Sequence, residues 1–128
     1  MNNLFSKLDT GTIAGHLTDT STQNLAWNQH PAFKGVSLKH LVTSTDTDGK
    51  FSAHLVKLEP GAKIGDHTHE TSWEMHEVAE GSGYCILDGR NIPYEKGVVA
   101  ILPENTAHLV QAGDEGLFLL AKFIPALL

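Results

Sequence analysis

From about residue 45 onward the chain is cut into short pieces by turn-forming residues, and this punctuation constrains the fold more than any other feature. Asp48-Gly49, Pro60-Gly61, Gly81-Ser82-Gly83, Asp88-Gly89 and Asp114-Glu115-Gly116 break up runs that are apolar or alternating. Short strands separated by Gly- and Pro-containing turns favour an all-β barrel or sandwich. No internal repeat, low-complexity tract or long helical period competes with that expectation.

The organisation follows from the same pattern. Residues 1–35 are polar and poorly periodic, and they are expected to form an N-terminal arm with a short strand near Thr12–Leu17, packing on the barrel or on a dimer partner. Trp27, Phe33 and Val36 anchor its end, where Pro31 and Gly35 mark a turn. Residues 36–128 are expected to be a single β-barrel domain. Val36, Leu38 and His40 alternate onto one face of a first strand, with Lys39 on the other. The segment at residues 45–50 carries an Asp-Gly hairpin signal. Gly81-Ser82-Gly83 and Asp114-Glu115-Gly116 read as further turns. The last strand, LFLLAKFIP, is apolar on both faces apart from Lys122. A strand of that kind needs cover on both sides, which predicts a homodimer, with cover by the N-terminal arm as the alternative.

Composition excludes several classes. With a formal net charge of −6 and only nine Lys and Arg, the chain lacks the basic surface that nucleic-acid binding requires. No apolar run is long enough to span a membrane, and the N-terminal residues do not read as a secretory signal. One cysteine, Cys85, cannot form an intramolecular disulfide. Together these predict a cytoplasmic protein, with Cys85 a small core residue.

The chemistry concentrates in GAKIGDHTHETSWEMHEVAEG, residues 61–81. In an extended strand residues i and i+2 share a face, so His67 and His69 can point into one pocket, and Glu74 from the next strand can join them. Imidazole and carboxylate suit divalent Fe, Mn, Ni or Zn. The spacing of Gly61, His67, His69, Glu74 and Gly81, followed downstream by Gly97, Pro103 and His108, resembles the two motifs of the cupin superfamily. The resemblance covers roughly residues 50–125. Asn105 stands where that family usually has glycine and Ala112 where it often has asparagine. Asparagine tolerates the left-handed backbone better than most residues.

The resemblance implies a double-stranded β-helix (jelly-roll) barrel with one divalent transition metal per chain, held by His67, His69, Glu74 and His108. It also implies a small organic molecule at the open metal positions, and dioxygenase, lyase or isomerase chemistry. His76 alternates onto the face of Glu74 and is the expected catalytic proton carrier. A plain cavity histidine bonded to a neighbour is the other reading of that residue. Met75 and Glu77 should face away. His54 and Trp73 stay open as pocket residues, and His16 and His30 read as ordinary surface or packing histidines. The alternative to an enzyme is a non-catalytic module that senses a metal or small ligand. A third reading is a metal-free cupin using its histidines as acid–base or binding groups. No G-x-S-x-G elbow is present, and His76-Glu77 lacks the second histidine of a helical zinc motif.

Overall fold

The computed structural model describes residues 3–128. A short helix, α1 (Leu4–Asp9), is capped by Asn3 and leads into a two-stranded ribbon of β1 (Thr12–Ala14) and β2 (Asp19–Ser21). After a single 3-10 turn come β3 (Trp27–Gln29), β4 (Val36–Val42), a helical turn α2 (Ser44–Thr47) and β5 (Ser52–Leu58). The chain continues through β6 (Lys63–His67), β7 (Trp73–Leu87), β8 (Arg90–Glu95), β9 (Val99–Leu102) and β10 (His108–Ile124).

Two long strands, β7 and β10, build the barrel because each belongs to both of its sheets. The residues of β10 from Leu117 onward pair with β5 and with the first half of β7, where Glu74–Glu77 in turn pair with β9. The opening residues of β10, His108–Ala112, pair with β6 and with the second half of β7, which also pairs with β8. One sheet therefore runs β3-β4-β5-β10-β7-β9 and the other β6-β10-β7-β8. The protein is all-β, a jelly-roll barrel. Inward-facing Val56, Leu58, Val78, Leu102, Val110 and Leu119 form the core, and the histidines line a cavity that reaches Val56 and Leu119.

The strands bend where glycine allows it. Both Gly81-Ser82-Gly83 and Asp114-Glu115-Gly116 lie inside continuous strands, not at the turns expected from sequence. The β7–β10 register slips between Ala112 and Leu117, so these segments are bulged corners where a strand passes from one sheet to the other. A Cβ on Gly81 would sit 2.2 Å from the Gly116 carbonyl oxygen, and one on Gly83 would sit 2.1 Å from that of Gln111. Turn-forming composition marks a bend equally well when the chain reverses and when it only kinks. The Asp-Gly hairpin also resolves differently. Residues 44–47 form α2, Asp48 and Gly49 follow with positive φ, and Asp46 caps the turn through the Thr43 amide.

The N-terminal segment lies on the outer face of the β4-β5-β10 sheet. Phe5 is buried with its ring 5.1 Å from that of Phe118 and 6.0 Å from that of Trp27. Lys39, which alternation places on the outside, is only 3% exposed there. Its ammonium donates to the Asp9 and Thr22 carbonyls at 3.1 and 2.8 Å and pairs with the Asp9 carboxylate. The Trp27 indole donates to that same carboxylate at 3.0 Å and lies under the Lys57 ammonium. Phe118 of the doubly apolar last strand is thus covered from within the chain.

Candidate metal centre

Four side chains converge at the open end of the barrel. His67 ends β6 and lies directly across the ladder from His108, the first residue of β10. His69 follows in the loop to β7, and Glu74 is the second residue of β7. The Asn105 amide donates to the His69 carbonyl at 2.7 Å, tying together the loops that carry His69 and His108. Asn105 adopts a φ of 54° to do so, the left-handed conformation anticipated for an asparagine in place of glycine.

The ring orientations are set from outside. His67 Nδ1 donates to the Gly65 carbonyl at 2.7 Å, and His108 Nδ1 donates to the Thr106 carbonyl at 3.0 Å. Each ring therefore turns its Nε2 lone pair inward, the arrangement outer partners impose on metal-binding imidazoles. His69 Nε2 and His108 Nε2 lie 3.5 and 3.2 Å from Glu74 Oε1. One donor atom from each of the four residues falls within 4.8 Å of every other. Donors about 2.1 Å from a common ion can lie at most about 4.2 Å apart, so closing on a metal takes only a few tenths of an ångström per side chain.

The residues fit a divalent cation on a second count. Glu74 Oε1 and His108 Nε2 are both buried and have no hydrogen-bond partner among the described residues. Their mutual approach suits an ion pair but is misaligned for a hydrogen bond. Leaving two such atoms orphaned costs free energy, and a cation between them satisfies both. Burial pushes His67 and His69 below the ordinary imidazole value, which favours the neutral form a ligand needs. Burial would also lower His108, but the Glu74 carboxylate and the Thr106 carbonyl outweigh it and raise it. For Glu74, burial acts upward, yet the adjoining His76 and His108 hold the carboxyl well below the usual range.

His76 sits on the same face as Glu74, as alternation requires, and is 3% exposed. Its Nε2 lies 2.7 Å from Glu74 Oε2 and its Nδ1 lies 2.7 Å from the Tyr94 hydroxyl. Both ring nitrogens are engaged.

The cavity beside these groups has a volume of about 80 Å³ and is walled by Leu38, Val56, Ile64, Leu119, Phe123 and Leu127, with His30 on its edge. His30 Nδ1 accepts the backbone amides of Ala32 and Phe33 at 3.0 and 3.3 Å, so Nε2 is its remaining nitrogen. Sequence gave no sign of this placement, which depends on β3 docking beside β4. Two residues left open by the sequence lie elsewhere. His54 is buried behind the cavity wall, its ring 5.6 Å from that of Phe123 and bonded to His40 Nδ1 and Ser52 Oγ at 2.8 Å each. Trp73 is 45% exposed on the outer face. Met75 and Glu77 share that outer face, with Glu77 paired to Lys122. Cys85 is fully buried and Tyr84 points outward.

Comparison with known proteins agrees with this architecture. The family profile described as the cupin domain matches residues 54–121. An oxalate-binding protein of Thermotoga maritima is 28% identical over 91 residues, which span 70% of this chain and 75% of that protein. The dimethylsulfoniopropionate lyase DddW of Ruegeria pomeroyi is 29% identical over 105 residues, 80% of this chain and 67% of the relative. Among solved structures, that of a predicted oxalate decarboxylase from Thermotoga maritima superposes with a TM-score of 0.74. It is 25% identical, and the match covers 80% of this chain and 95% of the other.

Proposed function

The chain belongs to the cupin family, and on that premise we propose that it is a metal-dependent enzyme acting on a small carboxylic acid. The observation that carries this reading is the pair of orphaned buried atoms, Glu74 Oε1 and His108 Nε2, facing the Nε2 atoms of His67 and His69. Those four atoms would hold one divalent Fe, Mn, Ni or Zn. Three neutral imidazoles and one carboxylate leave net positive charge at the centre, and four protein ligands leave two positions free if coordination is octahedral. A bound metal supplies a Lewis acid to which a carboxylate can be drawn.

The protein's own groups define what can bind. The cavity is small and opens to solvent beside the four ligands, which favours a small organic substrate. Leu38, Val56 and Phe123 present an apolar wall to the non-carboxylate part of such a molecule. The two named relatives support the same class, since oxalate and dimethylsulfoniopropionate are both small carboxylates. Lyase chemistry is the reaction type this reading favours over oxygenation or isomerisation.

A metal-dependent binding protein without turnover is the second reading, favoured by the engagement of both His76 nitrogens. No proton can leave His76 for a substrate until one of those bonds opens. The deciding experiment loads untagged protein in turn with Mn, Fe, Ni, Zn and Co and incubates each form with a panel of small carboxylates. Product formation followed by proton NMR supports the enzyme. Calorimetric binding without product supports the binding module, and absence of metal uptake overturns both.

We also propose a homodimer formed through the outer strip of Trp73, Val99, Ile101 and Ile124, each 45–62% exposed. Ile124 pairs with Trp73 and Ile101 with Met75 in the β9-β7-β10 ladder, an exposed apolar surface bordered by the Glu77–Lys122 ion pair beside Val99. Sedimentation of the wild-type chain should give a dimer, and Ile101→Glu should give a monomer.

A further inference from the structure

We propose that Tyr94 is a positioning residue for the metal-binding carboxylate, acting through His76. This rests on the metal reading above but concerns groups outside the ligand set. The chain of contacts starts at Glu74, whose carboxylate can only accept hydrogen bonds when ionised. His76 Nε2, at 2.7 Å from Glu74 Oε2, must therefore carry the proton. In the neutral ring Nδ1 is then bare and requires a donor. Tyr94, on β8 and fully buried, supplies one at 2.7 Å. Burial pushes the Tyr94 phenol far above its usual range, so its proton stays in place. Cys85, also fully buried, lies beside the same hydroxyl.

The consequence is a division of labour between the two carboxylate oxygens. Oε2 is committed to His76, so Oε1 is the oxygen that would be left for a metal. Without the Tyr94 hydroxyl the His76 ring is free to exchange tautomer or rotate, Oε2 loses its donor, and the Glu74 carboxylate is no longer held with Oε1 turned toward the other three ligands. Outer partners of this kind typically change metal affinity 10–100-fold.

The test compares wild-type protein with Tyr94→Phe, which keeps the buried ring and removes only the hydroxyl. Co(II) is the probe, with affinity measured by competition against a chromophoric chelator and coordination read from its visible absorption. Tyr94→Phe should bind Co(II) 10–100-fold more weakly and show a changed visible band, while its metal-free melting temperature falls only modestly. Unchanged affinity with an unchanged spectrum overturns the proposal. Nitrogen-15 NMR of the wild-type histidine rings gives a second measure that needs no variant. His76 should show a protonated Nε2 and a bare Nδ1, and a protonated Nδ1 overturns the assignment even if Tyr94→Phe does not fold. Failure of the wild-type chain to bind Co(II) sinks the metal reading instead, and the NMR result still decides whether Tyr94 holds His76.

Discussion

Single residues divide between those that meet the cation and those that hold the barrel in shape around it. His108 is the ligand whose removal is most informative, because its Nε2 is buried and unpaired. His108→Ala should weaken metal binding by at least the 10–100-fold expected for losing an outer partner, measured by chelator competition. His54 makes a separate prediction. Burial first, and then the neighbouring His40, pushes it from an ordinary value of 6.5 down to about 4. The unfolded chain takes up a proton there as the pH falls below 6.5, while the folded chain resists until about 4. Stability is therefore full above pH 6.5 and declines between 6.5 and 4, by roughly 2–3 kcal/mol for this group. Urea denaturation at pH 7.5 and 5.0 should show the loss, and His54→Gln should reduce it. Alternation made His67 with His69, and Glu74 with His76, legible as pairs, while the resemblance to the cupin motifs joined the pairs and added His108. Tyr94 and His30 were not legible, because each reaches the site across a strand pairing that no local period encodes.

At the scale of elements, the bent strands β7 and β10 decide whether the barrel closes. Gly81 and Gly89 offer a matched pair, with φ of 80° and 82°. A Cβ on Gly81 collides with backbone, whereas one on Gly89 meets nothing within 4 Å. Gly89→Ala should cost only the backbone strain of about 1–2 kcal/mol. Gly81→Ala adds the clash at the corner and should cost more than 4 kcal/mol or abolish folding, as read from thermal and urea unfolding of the two variants. The strand content was visible in the turn-forming residues. Their grouping into two strands of 15 and 17 residues was not, since a corner inside a strand and a turn between strands draw on the same amino acids.

For the molecule as a whole, the N-terminal segment and the barrel are joined by one charged clamp. Asp9→Ala leaves the nearly buried Lys39 ammonium with two carbonyls and the Trp27 ring but no anionic partner. It should destabilise the protein by about 2–3 kcal/mol, less than a fully buried pair would lose because Asp9 is 30% exposed. Lys39→Met, which removes the charge with the pairing, should cost less, and denaturation of both variants checks the order. Lys39 reads from sequence as an outward residue, and only the docking of α1 and Trp27 shows why it is covered. The ligand geometry has its own consequence at this scale. His67 and His108 belong to one sheet and Glu74 to the other, so an ion held among them fastens the two sheets together like a rivet. Such a fastener couples folding to mineral supply. At a free metal concentration 100 times the dissociation constant, the native state gains about 2.7 kcal/mol, and the melting temperature should climb with added metal and drop with chelator. Amide exchange along β6 should slow in step, and a starved cell would hold less of this protein without any change in its synthesis.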